Sequence, residues 1–139
     1  MIQEKYRELP DGMEPAEVQK AFDGLFSEMA TNAEPDVLDV VEALYQLADR
    51  QWHTYSVLPA EYKNRLEQWI DEHWLPTSLE FVMKVGFIAG SVGLPGVLSL
   101  LQTETRNHQL REEVRKAIVS MVEELTPKIH DPYHGMPKG

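Results

Sequence analysis

Four prolines divide this chain into helices. Pro15, Pro35, Pro59 and Pro95 each open a stretch whose apolar residues recur at three- and four-residue spacing. Proline fits the first helical turn, because its missing N–H would have no partner there and its fixed φ suits helix entry. The first helix is predicted from Pro15 to Ala30, with Val18, Phe22, Leu25, Phe26 and Met29 on one face. The second runs from Pro35 to Gln51 and buries Val37, Leu38, Val41, Leu44, Tyr45 and Ala48. The third starts at Pro59 and buries Tyr62, Leu66, Trp69 and Ile70, with Trp74 a further candidate. A fourth opens at Thr77-Ser78-Leu79-Glu80, read as a capping box in which Thr77 and Glu80 satisfy each other's backbone donors. Its body, Phe81 to Val92, is apolar on nearly all sides and is therefore the expected central helix. A fifth covers Pro95 to Gln102, and a sixth follows Asn107 as N-cap and reaches Leu125.

No segment alternates at period two, and no Asn-Gly or Asp-Gly hairpin signal occurs. The expected fold is all-α: a single domain over residues 1–139, built as a bundle or short stack of about six helices. The ends, residues 1–12 and 131–139, are rich in proline, glycine and charge and are expected to be loosely held. A chain of 139 residues is long enough to bury a substantial core.

Residues 95–125 carry a family resemblance. Pro95-Gly96-Val97-Leu98-Ser99-Leu100-Leu101, followed by Val114-Arg115-Lys116-Ala117-Ile118, resembles the two helices of a HEAT-type repeat, whose second helix has a Val-Arg-x-x-Ala core. The connection departs from that pattern: twelve residues separate Leu101 from Val114, and the usual intervening Asp is missing. The resemblance implies a stack of helical hairpins used as a protein-binding scaffold.

Charge narrows the function classes. The net charge is −10, and residues 1–76 hold 16 of the 23 acidic residues but only 6 of the 13 basic ones. Such a surface repels nucleic acid and anionic lipid and attracts basic proteins. On the second helix, Asp36, Asp39, Glu42, Gln46 and Asp49 fall on one ridge. The third helix adds Glu67, Asp71 and Glu72. Aromatic residues lie beside these carboxylates, with Trp52, His53 and Tyr55 placed in the connection between the two helices. The expected partner-binding set is Asp36, Asp39, Glu42, Asp49, Trp52, Tyr55, Glu67, Asp71 and Glu72. A polar rim around Trp and Tyr is the composition of an interface hot spot. The alternative is a solvated outer face.

Other chemistry finds less support. The chain has no cysteine, which excludes disulfides and thiolate sites. His130 and His134 flank Asp131, but Pro132 breaks the helix that would bring both imidazoles together, so no metal is expected. Ala89-Gly90-Ser91-Val92-Gly93 has the outline of a hydrolase nucleophile elbow without the strand that motif requires. No phosphate-binding, dinucleotide-binding or HExxH motif occurs, so neither a cofactor nor an enzyme is expected. Val85 to Thr103 is uncharged for nineteen residues, but Gly93-Leu94-Pro95-Gly96 would break a membrane span. The amino terminus lacks the apolar core of a secretory signal, so the expected location is cytoplasmic.

These features lead to one expected function, an acidic protein-binding module. Its most specific form is a stoichiometric inhibitor, of immunity or antitoxin type, of a basic toxin or nuclease. Small acidic immunity proteins are similar in kind of molecule, by analogy and not by motif. An adaptor docking another helical protein through an apolar surface is the alternative. A small helical enzyme or ligand carrier is a third, and would need a closed apolar pocket near Gly86–Gly96.

Overall fold

The computed structural model describes residues 2–31 and 36–133. These residues form seven helices and no strand: α1 (Ile2–Arg7), α2 (Pro15–Thr31), α3 (Val37–Trp52), α4 (Ala60–Glu72), α5 (Leu79–Val92), α6 (Pro95–Glu104) and α7 (Glu112–Leu125). The all-α reading is thus confirmed, with one helix more than expected.

The starts of the helices shift where a better cap competes. Asp36 caps α3, its carboxylate accepting from Leu38 N at 2.9 Å, and Pro35 lies outside the described residues. Ser78 caps α5, not Thr77: its Oγ accepts from Phe81 N at 3.2 Å while Glu80 turns to Lys84 at 3.4 Å. The expected Thr77–Glu80 box therefore does not form, because Ser78 is the last residue with extended backbone. Asn107 does not cap α7 either. Its side chain accepts from Gln109 N in a local turn, and the helix begins only after Arg111.

The amino-terminal end also departs from expectation. Residues 2–7 form α1, and Tyr6 is buried between α2 and α3. Lys5 and the Tyr6 hydroxyl both reach Glu28 on α2.

Side-chain contacts order the helices into two layers. Lys84 meets Glu42 and Phe87 meets Tyr45, so α3 and α5 run side by side in the same direction. Gly86 packs on Met121 and Gly90 on Leu125, so α7 continues the layer in that direction. A Cβ on Gly86 would lie 2.5 Å from Met121 Sδ, and one on Gly90 would lie 3.0 Å from Leu125 Cδ2. The two glycines are what allow α7 this close. In the other layer, Tyr62 on α4 bonds Asp23 on α2, Arg65 stacks over Phe26, and Glu67 reaches Gly96 N at the start of α6. The described residues thus form a two-layered helical bundle, α3, α5 and α7 in one layer and α2, α4 and α6 in the other. Phe22, Leu44, Leu66, Phe81, Ile88 and Ile118, all fully buried, fill the space between the layers.

Candidate interaction site at the ends of three parallel helices

A polar seam joins α1, α3 and α5. Glu42, with a side chain only 8% exposed, accepts from Lys84 Nζ at 2.6 Å, Gln46 Nε2 at 2.9 Å and Arg7 Nε at 3.1 Å. Burial by itself raises its pKa, but the bonds from Lys84, Gln46 and Arg7 outweigh burial and leave it below the ordinary glutamate value. Two turns on, Arg50 is buried and donates to Leu9 O at 2.9 Å and to Arg7 O at 3.3 Å. Asp39 is buried in the same helix. The ridge read as an outer acidic face therefore turns inward over this stretch, because α1 and α5 bring their own cations onto it. Asp39 and Glu42 are corrected from partner-facing to internal positions.

The remaining expected residues separate into groups. Asp36 is exposed at the far end of α3, about 24 Å of helix away from Trp52. Glu67 is engaged at the start of α6, while Asp71 and Glu72 are exposed on α4. Glu67 and Asp71 share a shallow depression between α4 and α6, and Asp49, Trp52 and Tyr55 come together at the end of α3.

They meet at a turn that the sequence suggested only in part. Trp52 is the last residue of α3 and not part of a loop, and it donates through Nε1 to Pro132 O at 3.4 Å. Tyr55 is 65% exposed and is the one non-glycine residue with positive φ among those described, at 56°. A left-handed conformation costs a non-glycine residue about 1–2 kcal/mol. Neighbouring rings hold it: Tyr55 stacks on Tyr133 at 5.7 Å and lies 6.2 Å from Trp52. Gln51 Nε2 donates to Ser56 O at 2.8 Å, and the Tyr133 hydroxyl sits 3.1 Å from the same carbonyl and 3.2 Å from Gln51 O. Burial raises the pKa of that hydroxyl above the ordinary tyrosine value, its hydrogen bonds at the turn opposing the shift.

Beside the turn opens a cleft of about 540 Å³. Its apolar walls are Trp52, Met83, Phe87, Met121 and Leu125. Gly86 and Gly90 line it without side chains, and Ser91 supplies a nearly buried hydroxyl. Asp49, His53, Glu124 and Lys128 edge it. Met83 and Phe87 are among the exposed large apolar side chains. The pocket expected of a ligand carrier near Gly86–Gly96 is present as an open cleft and not a closed cavity. Trp52 and Asp49 were legible from the sequence as site residues, whereas Met83, Phe87, Met121, Glu124, Lys128 and Tyr133 were not. The signal available for them was the glycine spacing at 86 and 90.

Among the described residues no group of three or more His, Asp or Glu side chains is arranged to hold a metal, and His134 lies outside them. No described helix is long and apolar enough to cross a membrane. The chain matches no protein-family model, no curated protein and no solved structure.

Proposed function

We propose that this chain is an acidic protein-binding module for a basic partner, and in its most specific form a stoichiometric inhibitor of a basic toxin or nuclease. The observation that supports this most directly is Tyr55. It is held exposed in a strained conformation, its ring 6.2 Å from that of Trp52, which lines the apolar cleft, in a chain with a net charge of −10. Strained, exposed residues concentrate at functional sites. Aromatic residues beside a polar rim carry a large share of binding energy. The exposed carboxylates Asp36, Asp71 and Glu72 contribute to the field that speeds encounter. Trp52 and Tyr55 then supply the apolar contact.

The cleft also supports a second reading, an adaptor that docks a helical protein chiefly through Met83 and Phe87. Salt separates the two, because steering between exposed charges is screened at physiological ionic strength while apolar docking is not. The test begins with affinity capture at low salt, elution by rising salt, and identification of the partner. Association rates of the purified pair are then measured against ionic strength, for the parent and for the triple variant Asp36→Asn, Asp71→Asn, Glu72→Gln. A basic partner whose association slows steeply with salt, with a flatter slope in the variant, is the expected result. A salt-independent rate defeats the steering reading and favours the adaptor.

A further inference from the structure

The direction of the helices gives the cleft a sign. α3, α5 and α7 are parallel, and each brings its last turn to the same place: Asp49 and Trp52 from α3, Gly90 and Ser91 from α5, Glu124 and Leu125 from α7. A helix carries about half a negative charge at its C-terminal end, felt within the last turn. Neither α5 nor α7 has a basic residue in its last turn to offset this. At the end of α3, Arg50 is buried, with Nη2 donating to the carbonyls of residues 7 and 9 and Nη1 lying 3.4 Å from Gln46 O, and the His53 ring Nδ1 lies 2.8 Å from Asp49 O, so this end is partly offset. Four titratable groups edge the cleft. Lys128 is engaged by Glu124 at 3.4 Å, and the His53 imidazole lies 3.7 Å from the Asp49 carboxylate, which Arg50 also approaches at 3.5 Å. Two carboxylates and three negative helix ends thus face one lysine, one histidine and the side of one arginine. The interior remains apolar.

We propose that the cleft is selective for a cationic side chain beside a bulky apolar one: the partner's leucine, methionine or phenylalanine enters against Phe87 and Met121, and its neighbouring arginine or lysine lies at the ends of α3, α5 and α7. This rests on the reading of the chain as a binder of basic protein, and it names the part of the partner that is recognised. An apolar side chain with a cation one helical turn away is the pattern of an amphipathic helix lying in a groove.

The experiment uses the full chain labelled at its methionine methyl groups, with Met83 and Met121 reporting on the cleft and Met13 and Met29 as controls. The probes are three short amidated helical peptides with leucine and, one turn away, arginine, norleucine or glutamate. The arginine peptide is expected to shift Met83 and Met121 selectively and to bind about tenfold more tightly than the norleucine peptide, with the glutamate peptide weaker still. Glu124→Lys, on an exposed side chain that leaves folding intact, is expected to erase most of that preference. Equal binding of the arginine and norleucine peptides overturns the proposal, and so does the absence of shifts at Met83 and Met121 with all three. The wider reading fails separately. A basic protein partner that binds without moving either methyl overturns the cleft proposal and leaves the binding-module reading intact. Arginine-selective binding in the cleft, with no basic partner found by capture, supports the cleft and counts against the module reading.

Discussion

Replacing Glu42 by glutamine tests whether the polar seam is structural. The change keeps the size of the side chain but removes its charge, and it puts an amide nitrogen where donors from Lys84, Arg7 and Gln46 converge. A hydrogen bond to a charged group contributes about 1.5–3 kcal/mol net, and breaking a buried pair costs about 3–5 kcal/mol. Arg7 is half exposed and Lys84 has Glu80 at 3.4 Å as a second partner, so both can recover part of the loss. The expected destabilisation is therefore about 2–3 kcal/mol in urea unfolding at neutral pH. The pH dependence fixes the cause. The folded-state pKa of Glu42 is lowered, so its stabilisation is complete above the ordinary glutamate value of about 4.3 and is lost as pH falls through the lower folded value. The gap between parent and variant should close on acidification. A double-mutant cycle with Lys84→Met should return a coupling of about 1 kcal/mol or more. A loss under about 0.5 kcal/mol, or a gap that stays constant into acid, would show that the seam is solvated and that α1 is held by packing alone.

Three further substitutions test how the helices are delimited. Ser78→Ala should cost about 1 kcal/mol while Thr77→Ala stays near zero, and thermal unfolding of the pair would separate the observed cap from the one expected of the sequence pattern. Gly93→Ala should cost about 2 kcal/mol or more, because φ is +75° and a Cβ there would stand 2.9 Å from Ile129 O; an alanine variant of parental melting temperature would show that this crossing can relax.

The helices were legible because their signal is local. Val18, Phe22, Leu25 and Phe26 mark a buried face whatever packs against it. The side on which a polar ridge lies is not local information. Asp39 and Glu42 sit on a surface-like stripe, yet both are buried, and Glu42 is held there by Arg7, 35 residues before it, and Lys84, which approach from two other helices. The same holds for α1. Its six residues give too short a period to recognise, and its stability comes from Tyr6 and the Glu42 seam. The cleft was the least legible element. Its walls come from the C-terminal halves of α3, α5 and α7, which are separated in the chain by whole helices, and the pattern shows only the two glycines that let α7 approach.

The last described residues return to the place where the first ones end. Arg7 and Leu9 accept from Arg50, while Pro132 accepts from Trp52 and Tyr133 closes on Gln51, so residues near the start and at the end of the described chain are fastened to three consecutive residues of α3. Chain ends ordinarily open first and at little cost in free energy. Here neither end can fray without loosening the same short clasp. Its bonds join residues 41 to 82 positions apart, which slows the search for the native arrangement and makes its loss more nearly all-or-none.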